Sequence, residues 1–338
     1  MTPASTPVAD SVSVPTYIGE NGNGMGRTDT KSGLTFVSLA DLLNEPEDAV
    51  QYVVSDLLPV GGLSLLAGKP KAGKSTLARC LALSVARGEA WLGRECRQGT
   101  VLYLGLEEKR SEVRRHFAGL GADNEPVYCF IEGAPQKNAT TMLEAAFDRY
   151  KPVLAIVDPL ARFARVRDGS DYSEVTRSLE PLGELARRSG VHVALVHHAR
   201  KNTEGGPGDD ALGSVAYMGG VDCGIILRRA NSGQRTIHSV NRYGTDLEES
   251  IVVLNEETGW VTVAGTKAAS DAAAVQHEVL DFVRMQQEGL PVPLDAIRKG
   301  VKRGNKQIGA ALGVLVRDEL LRVEGTGRKN DPKCYEPL

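Results

Sequence analysis

Nine residues carry the strongest chemical signal in the chain: Gly68, Lys69, Pro70, Lys71, Ala72, Gly73, Lys74, Ser75 and Thr76. They match the pattern G-x-x-x-x-G-K-[ST]. In that pattern the glycines let backbone amides close around a phosphate, the lysine neutralises the β- and γ-phosphates, and the hydroxyl ligates Mg²⁺. The apolar run Leu63–Leu66 precedes the motif and a helical segment follows from about Ser75. The order strand, loop, helix is the context the motif needs, and the helix N-terminus adds positive potential at the loop. The chemistry indicated is binding of a nucleoside triphosphate, ATP being the expected one, with Mg²⁺ held in part by Ser75.

Three more groups lie at the ends of apolar runs. LAIVDP ends in Asp158, and a carboxylate at the tip of a buried strand beside a phosphate loop can hold Mg²⁺. The same residue type can also simply cap the next segment. VLYLGLEE ends in Glu107 and Glu108, and a carboxylate there can polarise an attacking water. Glu107 comes first after the strand and is the preferred one, although a solvated acidic turn would look the same. VHVALVHHARK ends in His197 and His198, which can contact a γ-phosphate and report its presence. Metal binding is the rival use of a histidine pair. Adjacent strand residues point to opposite faces, however, so both would rarely serve one ion.

Positioning such groups takes a sheet. Between about residues 59 and 265 the apolar runs LSLLAG, TVLYLGLE, VYCFIE, LAIVD, VHVALVHH, CGIILRR and TIHSVNR have strand length, and helical segments separate the earlier ones. That alternation predicts an α/β fold with a mainly parallel central sheet. Residues 1–33, rich in Ser, Thr, Pro, Gly and Asn, read as a disordered arm. Residues 34–58 read as a linker or docking segment with a short helix and a strand. The run GTKAASDAAAV reads as a small-residue linker into a helix. Over 271–338, Val275, Val279, Phe282 and Val283 recur at helical spacing, and Ile308, Ala311, Leu312 and Leu315 share a face of a later helix. A closing hairpin, LLRVEG with KCYEP, completes the pattern of a small winged helix-turn-helix domain.

Composition bounds the rest. The chain has 338 residues, 40 Lys plus Arg, 43 Asp plus Glu and a net charge of −3. Hydrophobic residues at 41% and charged residues at 25% exclude a wholly disordered chain, a collagen and a membrane bundle. No apolar run approaches the roughly 18 residues a membrane span needs. Five scattered cysteines without a C-x-x-C pair do not read as a disulfide framework, so a reducing cytoplasmic setting is expected. Charge is uneven, however. Residues 290–335 hold ten Lys or Arg and five acids, a net +5 that leaves −8 on the remainder. Lys302, Arg303 and Lys306 precede or open the expected recognition helix, and Arg328 and Lys329 sit at the wing tip. That is a phosphate footprint on duplex DNA, or alternatively the solvated face of a protein-binding module.

The stretches LLPVGGLSLLAGKPKAGKSTLA, GTVLYLGLEE, LAIVDPLARF, VALVHHARK, DDALGSVAYMGGVD and VNRYGTD, in that order, resemble the RecA-like ATPases of the plasmid RepA and DnaB replicative-helicase group. The resemblance covers about residues 35–255. It implies a RecA-like P-loop NTPase fold. Lys74 and Ser75 would be the phosphate and Mg²⁺ residues, Glu107 the catalytic glutamate, Asp158 the second Mg²⁺ carboxylate, and His197 and His198 the γ-phosphate sensor. Arg242 falls where the DnaB-type motor carries an arginine finger, a group worth about 10³–10⁵ in rate. RepA-type enzymes place theirs shortly after the aspartate matched by Asp222. This chain has Ile225 there, with Arg228 and Arg229 later, so Arg242 is favoured and Arg228 is second.

The resemblance also implies a homo-oligomeric ring, usually a hexamer, around single-stranded DNA, with two central loops at 162–173 and 200–213. These loops carry Arg162, Arg165, Arg167, Arg200 and Lys201, which can follow a phosphate backbone without reading bases. A replicative helicase of a plasmid or phage is the function implied. An ATP-switched DNA-binding regulator or loader is the alternative.

Overall fold

The computed structural model describes residues 37–45, 49–131, 133, 138–164, 172–198, 219–286 and 290–338. The arm over 1–33 and the expected DNA contacts Arg165, Arg167, Arg200 and Lys201 lie outside these residues. The chain divides into two compact units, Met1–Ala49 and Val50–Leu338. In the first, helix α1 (Leu39–Asn44) is capped by Ser38, whose Oγ accepts from the Asp41 amide at 3.1 Å. Leu39, Leu42 and Leu43 on it are exposed.

The second unit begins with a small antiparallel ladder of β1 (Tyr52–Val54) and β2 (Leu58–Pro59). A sheet of nine strands follows. In chain order its parallel half and covering helices are β3 (Leu63–Gly68), α2 (Lys74–Arg87), β4 (Val101–Gly105), α3 (Arg110–Gly119), β5 (Val127–Phe130), α4 (Ala139–Tyr150), β6 (Leu154–Asp158), α5 (Leu160–Ala164), α6 (Tyr172–Ser189) and β7 (His192–His198). Then come β8 (Cys223–Arg229), β9 (Arg235–Asn241), β10 (Ser250–Leu254) and β11 (Val261–Thr266). The spatial order is β11-β10-β9-β8-β3-β7-β6-β4-β5. Strands β8 through β5 in that order are parallel, and β9, β10 and β11 are antiparallel additions.

The parallel strands are near-continuous apolar runs because both faces are covered. The period-2 alternation sorts them cleanly. Leu66, Tyr103, Ile156 and Val196 join Leu77 and Leu81 of α2 and Phe117 of α3 in one core. Leu65, Leu102, Val157 and Leu195 join Phe147 of α4 and Leu179 of α6 in the other. The chain leaves β3 toward β4 on one side and crosses to β8 on the other. The resulting crevice at the carboxyl end of β3 is where open α/β sheets bind ligands.

Close approach is required at Gly68, the last residue of β3. A Cβ there would lie 2.4 Å from the Leu227 carbonyl oxygen of β8, a backbone atom that cannot swing away. Gly68→Ala is therefore expected to destabilise the protein by about 1–3 kcal/mol through overpacking. A denaturation midpoint equal to wild type would contradict that.

The Ala-rich run expected as a linker is instead helical. Helix α7 (Lys267–Arg284) starts directly where β11 ends, and Thr266 Oγ1 accepts from the Ala269 amide at 3.2 Å. Its small residues suggest a linker, but alanine is the best helix former and Thr is a good cap. Beyond α7 lie β12 (Val292–Pro293), α8 (Leu294–Gly300), α9 (Asn305–Arg317), β13 (Leu321–Glu324) and β14 (Cys334–Pro337), with strand order β12-β14-β13. Val279, Ile297, Ile308, Leu312, Leu321 and Tyr335 form their own core. No described helix is long and apolar enough to cross a membrane.

Candidate active site

The phosphate loop joins β3 to α2. Gly73 takes φ +110°, a conformation L side chains rarely adopt, and it ends the loop so that α2 begins at Lys74. Lys74 is only 4% exposed. Its Nζ donates to the carbonyls of Gly68 at 2.8 Å and Lys69 at 3.0 Å, which curls the loop around the ammonium. Burial lowers its pKa to about 8, against a smaller raising effect from Asp158.

Asp158 ends β6 and is 6% exposed. Burial pushes its carboxyl above the ordinary value, while a hydrogen bond from Ser75 acts the other way. A hydroxyl and a carboxylate, both hard oxygen donors beside the phosphate loop, suit Mg²⁺. A cation there would also relieve the cost of burying an ionised Asp158. The residues present thus fit an Mg²⁺–nucleotide, with Ser75 and Asp158 as its holders.

The alternation along β7 separates the two histidines. His198 shares parity with Ala194 and Val196 and so faces the α2 side, as Tyr103 and Asp158 do. Its Nε2 lies 4.0 Å from Glu107 Oε2. Its pKa is lowered by burial first and by Lys74 second, with Asp158 and Glu107 raising it. His197 takes the opposite parity, is 8% exposed, and is held neutral with a pKa of about 4, chiefly by burial. In register, His197 sits beside Ala67 and His198 beside Gly68, so β7 lies between the loop strand and the Asp158 strand.

The adjacent glutamates part company. Glu107 is half-exposed, and Arg162 Nε donates to its Oε1 at 3.1 Å. Arg162, expected on a DNA loop, therefore stands at this carboxylate. Glu108 turns inward and accepts from buried Arg79 at 2.8 and 3.0 Å.

The two finger candidates occupy opposite ends of the sheet. Arg228 is near the carboxyl end of β8, where Gly68 pairs with Leu227, and its Nη1 is 3.8 Å from Glu249 Oε1. Arg242 follows β9, whose Asn241 pairs with Cys223 at the start of β8. Its amide donates to the Asp222 carbonyl at 2.7 Å, and Asp222 Oδ2 in turn accepts from the Leu63 amide at the start of β3. The whole of β3, roughly 20 Å of strand, separates Arg242 from its own phosphate loop.

Arg235, passed over in the sequence, is nearer. Its Nε donates to the Ala72 carbonyl at 2.9 Å. It borders a cavity of about 250 Å³ beside the loop, with Thr76 at the rim and Leu227, Val252, Leu254 and Val261 as apolar walls. That space suits a nucleobase. The signal was an arginine at the turn into β9, two strands from the motif in space but about 160 residues away in the chain.

In the C-terminal region Lys302, Lys306, Arg328 and Lys329 are exposed. Arg303 is engaged by Glu278 of α7 at 2.6 and 2.9 Å.

No curated protein matches the chain in sequence. A family model described as an AAA domain matches residues 28–204, more than half of the chain and a span that takes in the phosphate loop, Glu107, Asp158 and both histidines. The chain belongs to this family of RecA-like P-loop ATPases.

Proposed function

We propose that the protein is a ring-forming, ATP-driven DNA motor, most simply a replicative helicase of a plasmid or phage. The observation that carries this reading is the position of Arg242, half-exposed and a strand's length from its own phosphate loop. An arginine so placed is remote from its own nucleotide, so as a finger it would serve the site of a neighbouring subunit.

Within one subunit the parts of hydrolysis are together. Lys74 and the loop amides bind the β- and γ-phosphates. Ser75 and Asp158 would hold an Mg²⁺, which would shield the phosphate charge. Glu107 orients the attacking water and draws off its proton, and His198 lies 4.0 Å from it at the end of β7, beside Gly68. Arg162 on α5 pairs with Glu107 and leads into the loop proposed to meet single-stranded DNA. DNA that draws Arg162 away would leave Glu107 free to act, which couples strand binding to hydrolysis. The three helices and three-stranded sheet at the C-terminus suit a winged helix, and Lys302, Lys306, Arg328 and Lys329 would meet duplex phosphates there.

The test is ATPase activity with and without single-stranded DNA, alongside unwinding of a forked duplex, with Lys74→Ala as the inactive control. DNA-stimulated hydrolysis and strand separation are expected. An assembled, ATP-hydrolysing protein that leaves the fork intact would refute the helicase reading and favour the ATP-switched regulator. In rings mixed from Arg242→Ala and Glu107→Gln subunits, some interfaces keep both groups, so activity should exceed that of either variant alone. No gain in demonstrably mixed rings would remove Arg242 as the finger.

A further inference from the structure

A chain of buried polar groups runs beneath the hydrolytic residues, and three of its members, Arg79, Glu108 and Tyr103, have no part in the roles above. Arg79 lies four residues after Ser75 in α2, so the two share one face of the helix. Arg79 is 4% exposed and sits among apolar neighbours of α2 and β4. Its Nη1 donates to both carboxylate oxygens of Glu108, at 2.8 and 3.0 Å, and to the Tyr103 hydroxyl at 3.3 Å. Tyr103, fully buried on β4, donates in turn to Asp158 Oδ2 at 3.3 Å. Asp158 also receives the Ser75 hydrogen bond.

Packing alone does not account for these residue types. Tyr103 meets Phe117 edge-on at 5.3 Å, a contact phenylalanine would make equally well. An apolar side chain at position 79 would avoid the cost of desolvating a guanidinium. What the two polar groups add is geometry at both ends of the chain. At one end Arg79 grips Glu108, whose neighbour is Glu107. At the other, the Tyr103 hydroxyl occupies one oxygen of Asp158 and limits rotation of that carboxylate.

We infer that Arg79 and Tyr103 are positioning residues of the hydrolytic site: one buried cation holds the turn bearing Glu107 through Glu108 and the metal-binding carboxylate of Asp158 through Tyr103. The inference rests on the reading of Asp158 as an Mg²⁺ holder and Glu107 as the hydrolytic carboxylate. Partners that orient a metal ligand are typically worth about 10–100-fold in metal affinity or activity.

The experiment titrates Mg²⁺ into the full-length protein bound to a fluorescent ATP analogue, a readout independent of hydrolysis, and follows ATPase in parallel. Tyr103→Phe keeps the ring and loses one hydroxyl. It should raise the half-saturating Mg²⁺ about tenfold or more, while analogue affinity in EDTA and kcat at saturating Mg²⁺ stay near wild type. Glu108→Gln should do the reverse, lowering kcat about tenfold at an unchanged Mg²⁺ requirement. A merely structural role, whatever its cost in melting temperature, would leave the two parameters unsplit. Asp158→Asn is measured alongside. If it shifts the Mg²⁺ titration and Tyr103→Phe does not, the inference is overturned alone. If neither shifts it, the metal reading of Asp158 falls and the inference with it.

Discussion

Lys74→Met is expected to abolish ATP hydrolysis and, at the same time, to change how the stability of the nucleotide-free protein depends on pH. The loss comes from removing the buried cation that meets the developing charge on the phosphates. One such preorganised donor is worth about 10²–10³ in rate. The pH effect comes from the state of that cation in the free protein. Burial holds Lys74 at a pKa of about 8, against an ordinary 10.5. The difference corresponds to about 3 kcal/mol of strain at neutral pH. Methionine removes it but leaves the Gly68 and Lys69 carbonyls without a donor, at about 1–3 kcal/mol each, so the two effects largely offset each other at pH 7.

The pH dependence follows in sign. Between about 8 and 10.5 the unfolded chain binds more protons at this position than the folded one, so wild-type stability rises with pH through that window. Lys74→Met should therefore compare best with wild type at pH 7 and lose ground to it toward pH 10. Thermal denaturation of both proteins across that range decides it. A stability difference between the two that does not change with pH would refute the argument.

A second large effect separates two neighbouring glutamates. Glu107→Gln should lower kcat by about 10²–10⁴, the worth of a positioned general base. Binding of a non-hydrolysable ATP analogue should hardly change, because Glu107 is half-exposed and anchors nothing buried. Glu108→Gln should lose only about tenfold in kcat and show itself chiefly in stability. It removes the negative partner of Arg79, and an uncompensated buried charge costs about 3–5 kcal/mol, less the hydrogen bond that an amide oxygen retains. Pre-steady-state hydrolysis and urea denaturation of the two variants form one experiment. Equal kinetic losses with equal stabilities would mean that the difference between the side chains has no consequence.

The phosphate loop, Asp158 and the histidine pair could be found in the sequence because each signal is local, a short pattern at the end of an apolar run. The parallel sheet was legible for the same reason. Arg79 and Tyr103 were not. In LARCLALSV a lone arginine interrupts an apolar helix, and in VLYLG a lone hydroxyl interrupts an apolar strand. Both were absorbed into the core pattern. A charge at a position that the periodicity assigns to the interior was the signal to follow. The placement of Arg242 could not be read at all. It depends on β9 running antiparallel to β8, which returns the chain to the far end of the sheet. The mistaken linker at 266–270 shows the opposite failure, in which small side chains suggested slackness to a reader who could not see Thr266 starting a helix.

That junction has a mechanical meaning. A strand that becomes a helix through one capping residue has almost no free torsions to absorb motion, unlike a glycine–serine spacer. The antiparallel strands that carry Arg242 and the helix that opens the C-terminal module form a stiff hinge arm. A tilt of β9–β11 would therefore pass to α7 and on to the C-terminal module.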